Sequence, residues 1–191
     1  MDPGERVKAV SARQREQQRH AVTVTLPDGT VRTLEPGGAS VILQGVIQQW
    51  APARLGDPVV LTVSEPGDKV YLADARLLTS LGLTIDANRL LPDAVIADVA
   101  TTPVRFWLIE AVHTDGVIDE ARRARLLQWA ADQRIRPDSC RFLSAFAGRN
   151  SPPARRRLKD LAVGTYAWYA DEPARELAWY ELASSNKEIT S

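Results

Sequence analysis

"LLPDAVIADVATTPVRFWLIEAV", residues 90–112, contains two short apolar segments whose composition is typical of buried β-strands. The first covers roughly residues 94–97 and the second roughly residues 105–112. Each has a carboxylate next to its apolar residues, with Asp93 at the head of the first and Glu110 near the end of the second. A buried charge is costly unless it is paired, so both acids need an explanation.

A metal ion would explain why the two acids are there. If the segments pair antiparallel, the start of one lies beside the end of the other, and neighbouring strands are about 4.8 Å apart. Two close, buried carboxylates cannot both stay ionised without a cation between them. Mg²⁺ prefers oxygen ligands and could polarise a phosphodiester there. Two structural alternatives stay open: Asp93 caps a loop, and Glu110 reaches solvent.

The preceding sequence predicts a hairpin, a helix, a strand and a second helix. Residues 21–34, "AVTVTLPDGTVRTL", alternate around Asp28-Gly29, which is a hairpin signal. "ASVILQGVIQQWA" predicts a helix with Ser40 as its N-cap and Pro52 as its end. "DPVVLTVSE" predicts a buried strand, and "VYLADARLLTSLGL" predicts a helix over residues 70–83 with Gly82 at its C-cap.

The following sequence predicts a helix starting near Ile118 and three more strands. The strands are predicted in "SCRFLSAFAG", "GTYAWYAD" and "ELAWYEL", with a short helix before the second. Helices that alternate with buried strands indicate an α/β fold with a mixed β-sheet flanked by helices. We therefore expect one domain over residues 21–191, preceded by a polar N-terminal arm over residues 1–20.

Composition excludes several classes of protein. The 191 residues are 45% hydrophobic and 25% charged, as in ordinary globular proteins. No apolar run is long enough to span a membrane, and the N-terminus lacks the apolar core of a signal peptide, so we expect a cytoplasmic protein. Cys140 is the single cysteine, which excludes an internal disulfide.

Arginines cluster in two places although the formal net charge is zero. The zero charge argues against a polybasic nucleic-acid binder, but a DNA-binding face with segregated charge remains possible. One cluster includes Arg122, and the other includes Arg149, Arg155 and Arg156. These four are candidate DNA-binding residues, and a merely solvated face is the alternative.

Several motifs, taken in order, resemble one family of DNA-cleaving enzymes. "PD", a spacer and then "E" between apolar residues is similar to the PD-(D/E)XK nuclease superfamily. More narrowly, "LPDAVIAD", "FWLIEAV", "LSAFAGR" and "AWYADEP" resemble the BsuBI/PstI family of type II restriction endonucleases. "PGGASVILQGVIQQWAP" resembles the helix that opens that family's catalytic region, so the resemblance covers most of residues 25–173.

The resemblance implies a restriction-endonuclease-like core and a Mg²⁺-dependent endonuclease that cuts double-stranded DNA. It implies that Asp93, Glu110 and the carbonyl of Ala111 bind the ion. The superfamily expects a lysine two residues after the glutamate, where this chain has Val112. Lys69 resembles a lysine in another segment of the family and is the candidate third catalytic group, with Arg122 as the runner-up. The alternative for Lys69 is a solvated turn lysine.

Other departures leave room for a catalytically inactive DNA-binding or protein-interaction module. Gln48 and Gln49 stand where family members tend to be acidic, and Gly164 and Tyr166 stand where they carry two glutamates. An unrelated α/β domain with structural acids is the third alternative.

The resemblance also implies a homodimer, because the family cuts palindromic sequences and needs one active site per strand. The chain looks shorter than typical members, so a separate subunit could supply specificity.

Overall fold

The computed structural model describes residues 20–65 and 68–181, with only the main chain described for Asp68 and Lys69. The predicted N-terminal arm lies outside these residues except for His20. The hairpin expected around Asp28-Gly29 is present as two antiparallel strands. These are β1 (Val22–Thr25) and β2 (Val31–Leu34).

A seven-stranded mixed sheet forms the centre of the molecule. Its strands are β3 (Pro58–Glu65), β4 (Asp68–Leu72), β5 (Ala94–Asp98), β6 (Arg105–Val112), β7 (Cys140–Phe146), β8 (Thr165–Tyr169) and β9 (Glu176–Trp179). Their order in the sheet is β4-β3-β5-β6-β7-β8-β9, and the β6–β7 and β7–β8 pairs are parallel while the others are antiparallel.

Helices cover both faces of this sheet, as expected for the predicted α/β fold. The helices are α1 (Gly38–Gly45), which continues through a π-helical turn (Val46–Trp50) into α2 (Ala51–Arg54), then α3 (Ala75–Ser80), α4 (Glu120–Asp132) and α5 (Pro152–Arg157), with 3₁₀ turns at Pro137–Ser139 and Leu158–Asp160. One apolar cluster lies under α1 and includes Trp50, and a second lies under α4 and includes Leu126 and Trp129.

The opening stretch supplies the two strands at the centre of the sheet. β5 and β6 pair antiparallel with Ala94 opposite Ile109, so the pairing predicted from the sequence is confirmed. Both strands lie inside the sheet and helices cover both of its faces, which explains why all five residues of β5 are buried. Side chains alternate between the two apolar clusters, because Ala94 and Ile96 face α1 whereas Val95 and Ala97 face α4.

The predicted ends of the first helix were wrong. The helix begins at Gly38, and Ser40 is a buried residue inside it whose hydroxyl donates to Glu65 at 3.0 Å. Pro52 does not end it, because the π-helical turn shifts the hydrogen bonding so that Ala51 N–H donates to the carbonyl of Val46. Proline then falls in the first turn of α2, where its missing N–H does little harm.

The helix predicted over residues 70–83 was also wrong in its first part. Val70–Leu72 belong to β4, which pairs with β3. Leu72 lies opposite Thr62, and Tyr71 lies opposite Val63. Helix α3 begins only after Asp74, whose carboxylate accepts from the N–H groups of Arg76 and Leu77. Gly82 follows α3 with a φ of 73°, as its predicted place at the helix C-terminus requires.

Within residues 20–65 and 68–181, no helix combines the length and the hydrophobicity that crossing a bilayer requires.

Candidate metal centre

Asp93 and Glu110 meet at one end of the two central strands. Strands β6, β7 and β8 are parallel, so all three finish at this end of the sheet, and antiparallel β5 begins there. Asp93 directly precedes Ala94, the partner of Ile109, and therefore stands level with Glu110 on the next strand. Alternation along the strands puts both side chains on the α4 face. The predicted convergence of the two acids is what the topology produces.

Asp93 is fixed by main-chain groups on both sides. Its Oδ2 accepts from the N–H of Ala111 at 2.8 Å. Its carbonyl accepts from the N–H of Ser64 at 2.9 Å, and the hydroxyl of Ser64 donates to the carbonyl of Pro92 at 2.8 Å. The half-buried carboxylate of Asp93 thus has a defined orientation, with β3 and β6 holding it from either side.

Glu110 is buried, with 6% of its surface exposed, and its partner is Arg122 of α4. Oε1 of Glu110 accepts from Nη2 of Arg122 at 2.7 Å and from Nε at 3.2 Å. The same Nη2 also donates to the carbonyl of Leu91 at 2.9 Å. The sequence made Arg122 a candidate DNA-binding residue and the runner-up for the third catalytic group, and in the fold its guanidinium is directed at Glu110.

Both carboxyls have raised pKa values. Burial raises the pKa of Asp93, and the N–H of Ala111 and the charge of Arg122 oppose the rise. Burial and then the nearby charge of Asp93 raise the pKa of Glu110 from 4.5 to about 8, although Arg122 opposes this too. One guanidinium is therefore too little positive charge for two acids at this depth, and a further cation would stabilise their ionised forms.

The donor atoms fit a hard divalent cation. Within the described residues, Oδ1 of Asp93 and Oε2 of Glu110 accept no hydrogen bond. The carbonyl of Ala111 points to the same side of β6 as its N–H, and so toward Asp93, although it also accepts from His113 N–H at 3.1 Å. No cluster of three or more His, Cys, Asp or Glu side chains occurs in the described part of the chain. The oxygen set of two carboxylates and one carbonyl, completed by water, suits Mg²⁺ rather than zinc.

Val112 lies on the same face of β6 as Glu110 but is enclosed by apolar side chains, and His113 points to the other face. Val112, in the position where the resemblance leads one to expect lysine, is 1% exposed and belongs to an apolar cluster. That cluster comprises Val112, Val117, Phe146, Ala154, Leu161, Ala167 and Tyr169. His113 lies on the opposite face, where its imidazole ring contacts Gly38 so closely that a Cβ at that position would collide with it. Neither residue is therefore suited to stabilise charge on a phosphate that a metal ion at Asp93 and Glu110 would bind.

Lys69 lies in β4 and not at the start of a helix. Its main chain pairs with Ser64 of β3, and Ser64 in turn bonds to Asp93. Lys69, Ser64, Asp93 and Glu110 therefore stand in one row across four strands. The side chain of Lys69 lies outside the described residues, so its role stays a prediction.

Three of the arginines proposed for DNA binding lie near the same end of the strands. Arg149 follows β7 and forms an ion pair with Glu172 at 3.5 Å. Arg155 and Arg156 are exposed on α5, and Nη2 of Arg156 lies 3.5 Å from the carbonyl of Thr114, just after β6. Arg155 and Arg156 thus present positive charge to solvent beside the site.

Main-chain groups are what the sequence analysis missed. The N–H of Ala111 and the carbonyl of Leu91 complete the partner set of the two carboxylates. No residue type marks such groups, since every residue supplies them. Asp119 did offer a signal for Arg122: it is the N-cap of α4 and accepts from the N–H of Arg122 at 2.8 Å, which fixes the arginine in the first turn.

Comparison with known proteins identifies the fold family. The model of the "BsuBI/PstI restriction endonuclease domain" matches residues 22–180. The chain belongs to this family. It is 26% identical over 162 residues to the type II restriction enzyme BsuBI of Bacillus subtilis, covering 84% of this chain and 48% of that enzyme.

A solved structure agrees with this assignment. The BsuBI/PstI-family chain is similar to the SdaI restriction endonuclease with a TM-score of 0.72 and 28% identity, over 90% of this chain and 52% of that one. The restriction-endonuclease-like α/β fold is thereby confirmed. The chain spans about half the length of both relatives.

Proposed function

We propose that this BsuBI/PstI-family domain is a Mg²⁺-dependent endonuclease that hydrolyses phosphodiester bonds of double-stranded DNA in a restriction or defence system. The observation that carries the proposal is the meeting of Asp93 and Glu110 on adjacent strands. Each has one carboxylate oxygen held by the protein and one oxygen that accepts no hydrogen bond from the described residues. Membership of a restriction endonuclease family supports DNA as the substrate.

Asp93, Glu110 and the carbonyl of Ala111 are the residues that would hold Mg²⁺. When bound, the ion supplies charge stabilisation for the phosphate oxygens and a lower pKa for an attacking water. The chain itself contributes orientation, because Ala111 N–H fixes Asp93 while Arg122 fixes Glu110. Lys69 is the proposed further cation for the charge that builds on the phosphate.

DNA would lie across the end of the sheet where β6, β7 and β8 finish. Three arginines lie near this end, and their charges would bind phosphates on either side of the cut: Arg149, Arg155 and Arg156. We propose a homodimer, because two copies of one active site can cut both strands of a symmetric sequence. Since the chain spans about half of its relatives, we also propose that sequence reading involves a separate subunit or segment.

A catalytically inactive DNA-binding module is the second candidate. One observation favours it: Val112 is buried where the superfamily expects a lysine. In that case the domain would bind DNA with the same arginines but leave it intact, with or without metal.

Nicking of supercoiled plasmid by the purified full chain tests the proposal. Mg²⁺ should produce open-circular and linear DNA, and a chelator should stop the reaction. DNA binding by gel shift in chelator is measured in parallel, because a bound but uncut plasmid at every metal concentration identifies the inactive module. Absence of both cutting and binding would contradict both functions.

A further inference from the structure

We propose that Arg122 is a positioning residue that holds both metal-binding segments in register with one guanidinium group. This inference rests on the proposed function, because the segments in question carry Asp93 and Glu110. It assigns Arg122 a role inside the metal centre and not on the DNA-binding surface.

The contacts of Arg122 join two parts of the chain that lie far apart in sequence. Nη2 and Nε bond to Oε1 of Glu110 on β6, at 2.7 and 3.2 Å. Nη2 also bonds to the carbonyl of Leu91, two residues before Asp93, at 2.9 Å. A rigid, planar guanidinium that binds both groups restricts how far the turn before β5 can move relative to Glu110.

Arg122 is itself anchored. Its N–H donates to the carboxylate of Asp119, the N-cap of α4, and the helix begins one residue later. Its side chain is only 21% exposed, against 8% for that of Glu110, so the ion pair is largely removed from water. A buried carboxylate that lost this partner would be left with an uncompensated charge.

The contacts give the two carboxylate oxygens of Glu110 different roles, since one binds Arg122 and the other remains available to a metal ion. Arg122 takes Oε1 alone, and within the described residues Oε2 has no hydrogen-bond partner. In the same way, the N–H of Ala111 takes Oδ2 of Asp93 and leaves Oδ1. Each metal-binding carboxylate therefore has one oxygen held by a protein donor, which is how the surroundings of metal ligands commonly orient them.

Mn²⁺ binding without DNA tests the role of Arg122 separately from catalysis. Calorimetric titration of the full chain would compare wild type with Arg122→Ala, Arg122→Lys and Arg125→Ala. Arg122→Ala should weaken Mn²⁺ binding by about 10–100-fold, the usual effect of losing a group that orients a ligand. The Mn²⁺ affinity of Arg122→Lys should lie between those of wild type and Arg122→Ala, because an ammonium keeps the charge but cannot bind both acceptors as the planar guanidinium does.

Arg125→Ala is the matched control. Arg125 is exposed on the same helix and its charge also acts on Glu110, but it makes no hydrogen bond to either carboxylate. Its removal should leave Mn²⁺ affinity close to that of wild type. Millimolar guanidinium should restore binding to Arg122→Ala, because the free ion can occupy the position of the missing group.

Plasmid nicking gives a second readout. If Arg122 acts through Glu110 and Asp93, kcat falls and KM for DNA is unchanged, whereas a phosphate contact would raise KM. Unaltered or tighter Mn²⁺ binding by folded Arg122→Ala would overturn the inference. An equal loss in Arg125→Ala, or a loss that guanidinium does not restore, would also overturn it. If Arg122→Ala does not fold, Arg122→Lys decides by the same comparison.

The two proposals fail in different ways. No Mn²⁺ binding by wild type would contradict the metal centre itself. Metal binding by wild type that is insensitive to Arg122 would leave the proposed function standing and remove only the role of Arg122.

Discussion

The main-chain N–H of Ala111 donates to Oδ2 of Asp93 at 2.8 Å, and so joins the strand that carries Glu110 to the turn that carries Asp93. Because a peptide group makes this bond, no substitution at Ala111 other than proline removes the donor. The orientation of Asp93 is therefore built into the pairing of β5 with β6.

Asp93→Ala and Glu110→Ala should each abolish cleavage without unfolding the protein. Each variant loses a proposed metal ligand, so nicking should fall by more than the roughly 100-fold typical of losing an outer partner. Initial rates of plasmid nicking in Mg²⁺, with circular dichroism as the check on folding, would measure this. Asp115→Ala is the control, since Asp115 is exposed and only 3.7 Å from Arg157 in a surface ion pair. Wild-type rates in either carboxylate variant would exclude the assignment.

The metal-free protein should lose stability as pH rises from about 4.5 to about 8. The pKa of Glu110 is raised by burial and by Asp93 from 4.5 to about 8, so between these values the folded state binds more protons than the unfolded state. The free energy of unfolding then decreases with increasing pH, and the contribution of Glu110 is fully present only below the lower value.

Thermal melts across this pH range would measure the effect. Glu110→Gln carries no titrating group and should show a flatter profile than wild type in chelator. Identical profiles for the two proteins would show that Glu110 ionises in the folded state as it does in the unfolded state.

DNA affinity should fall steeply with salt although the net charge of the chain is zero. Each phosphate contact contributes a slope of roughly −0.9 in log K against log salt on duplex DNA. The double variant Arg155→Ala/Arg156→Ala should therefore reduce the slope by up to about 1.8. Fluorescence anisotropy in chelator would measure it without cleavage.

Arg136→Ala is the matched control for the salt experiment. Arg136 is an exposed arginine that pairs with Asp138 just before β7, at the opposite end of the strands from Asp93 and Glu110. Its removal should leave the slope unchanged. A slope that responds equally to both changes would place the DNA elsewhere on the protein.

Introducing the missing lysine as Val112→Lys should destabilise the protein and not activate it. Val112 is 1% exposed among apolar side chains, and an ammonium there would lie unpaired in the core. The expected loss is several kcal/mol, which is the usual effective cost of burying one ion. Val112→Met is the control for size. Faster nicking with an unchanged melting temperature in Val112→Lys would mean that position 112 can reach the site.

Local patterns in the sequence predicted much of the sheet. The period-2 alternation around Asp28-Gly29 predicted the hairpin, and the apolar runs of residues 94–97 and 105–112 predicted two buried strands that pair antiparallel. Neighbouring residues alone generate these signals, so they survive without knowledge of the fold. The position of Asp93 opposite Glu110 then follows from strand geometry.

Local patterns were misleading in two places. Val70–Leu72 were predicted as the start of a helix, but pairing with β3 made them a strand, so a contact between separate strands outweighed local propensity. Pro52 was predicted as the end of a helix, but a π-helical turn in the same helix moved it into a harmless position.

The sequence by itself indicated which acids lie at the ends of apolar strands, and strand pairing then brings Asp93 and Glu110 level with each other. The tertiary structure alone decided what surrounds them. Arg122 lies 12 residues from Glu110 and 31 from Leu91 along the chain, and no local pattern indicates that one guanidinium binds both. The packing of α4 on β6 brings them together, because hydrogen bonds depend on positions in space that the complete fold sets.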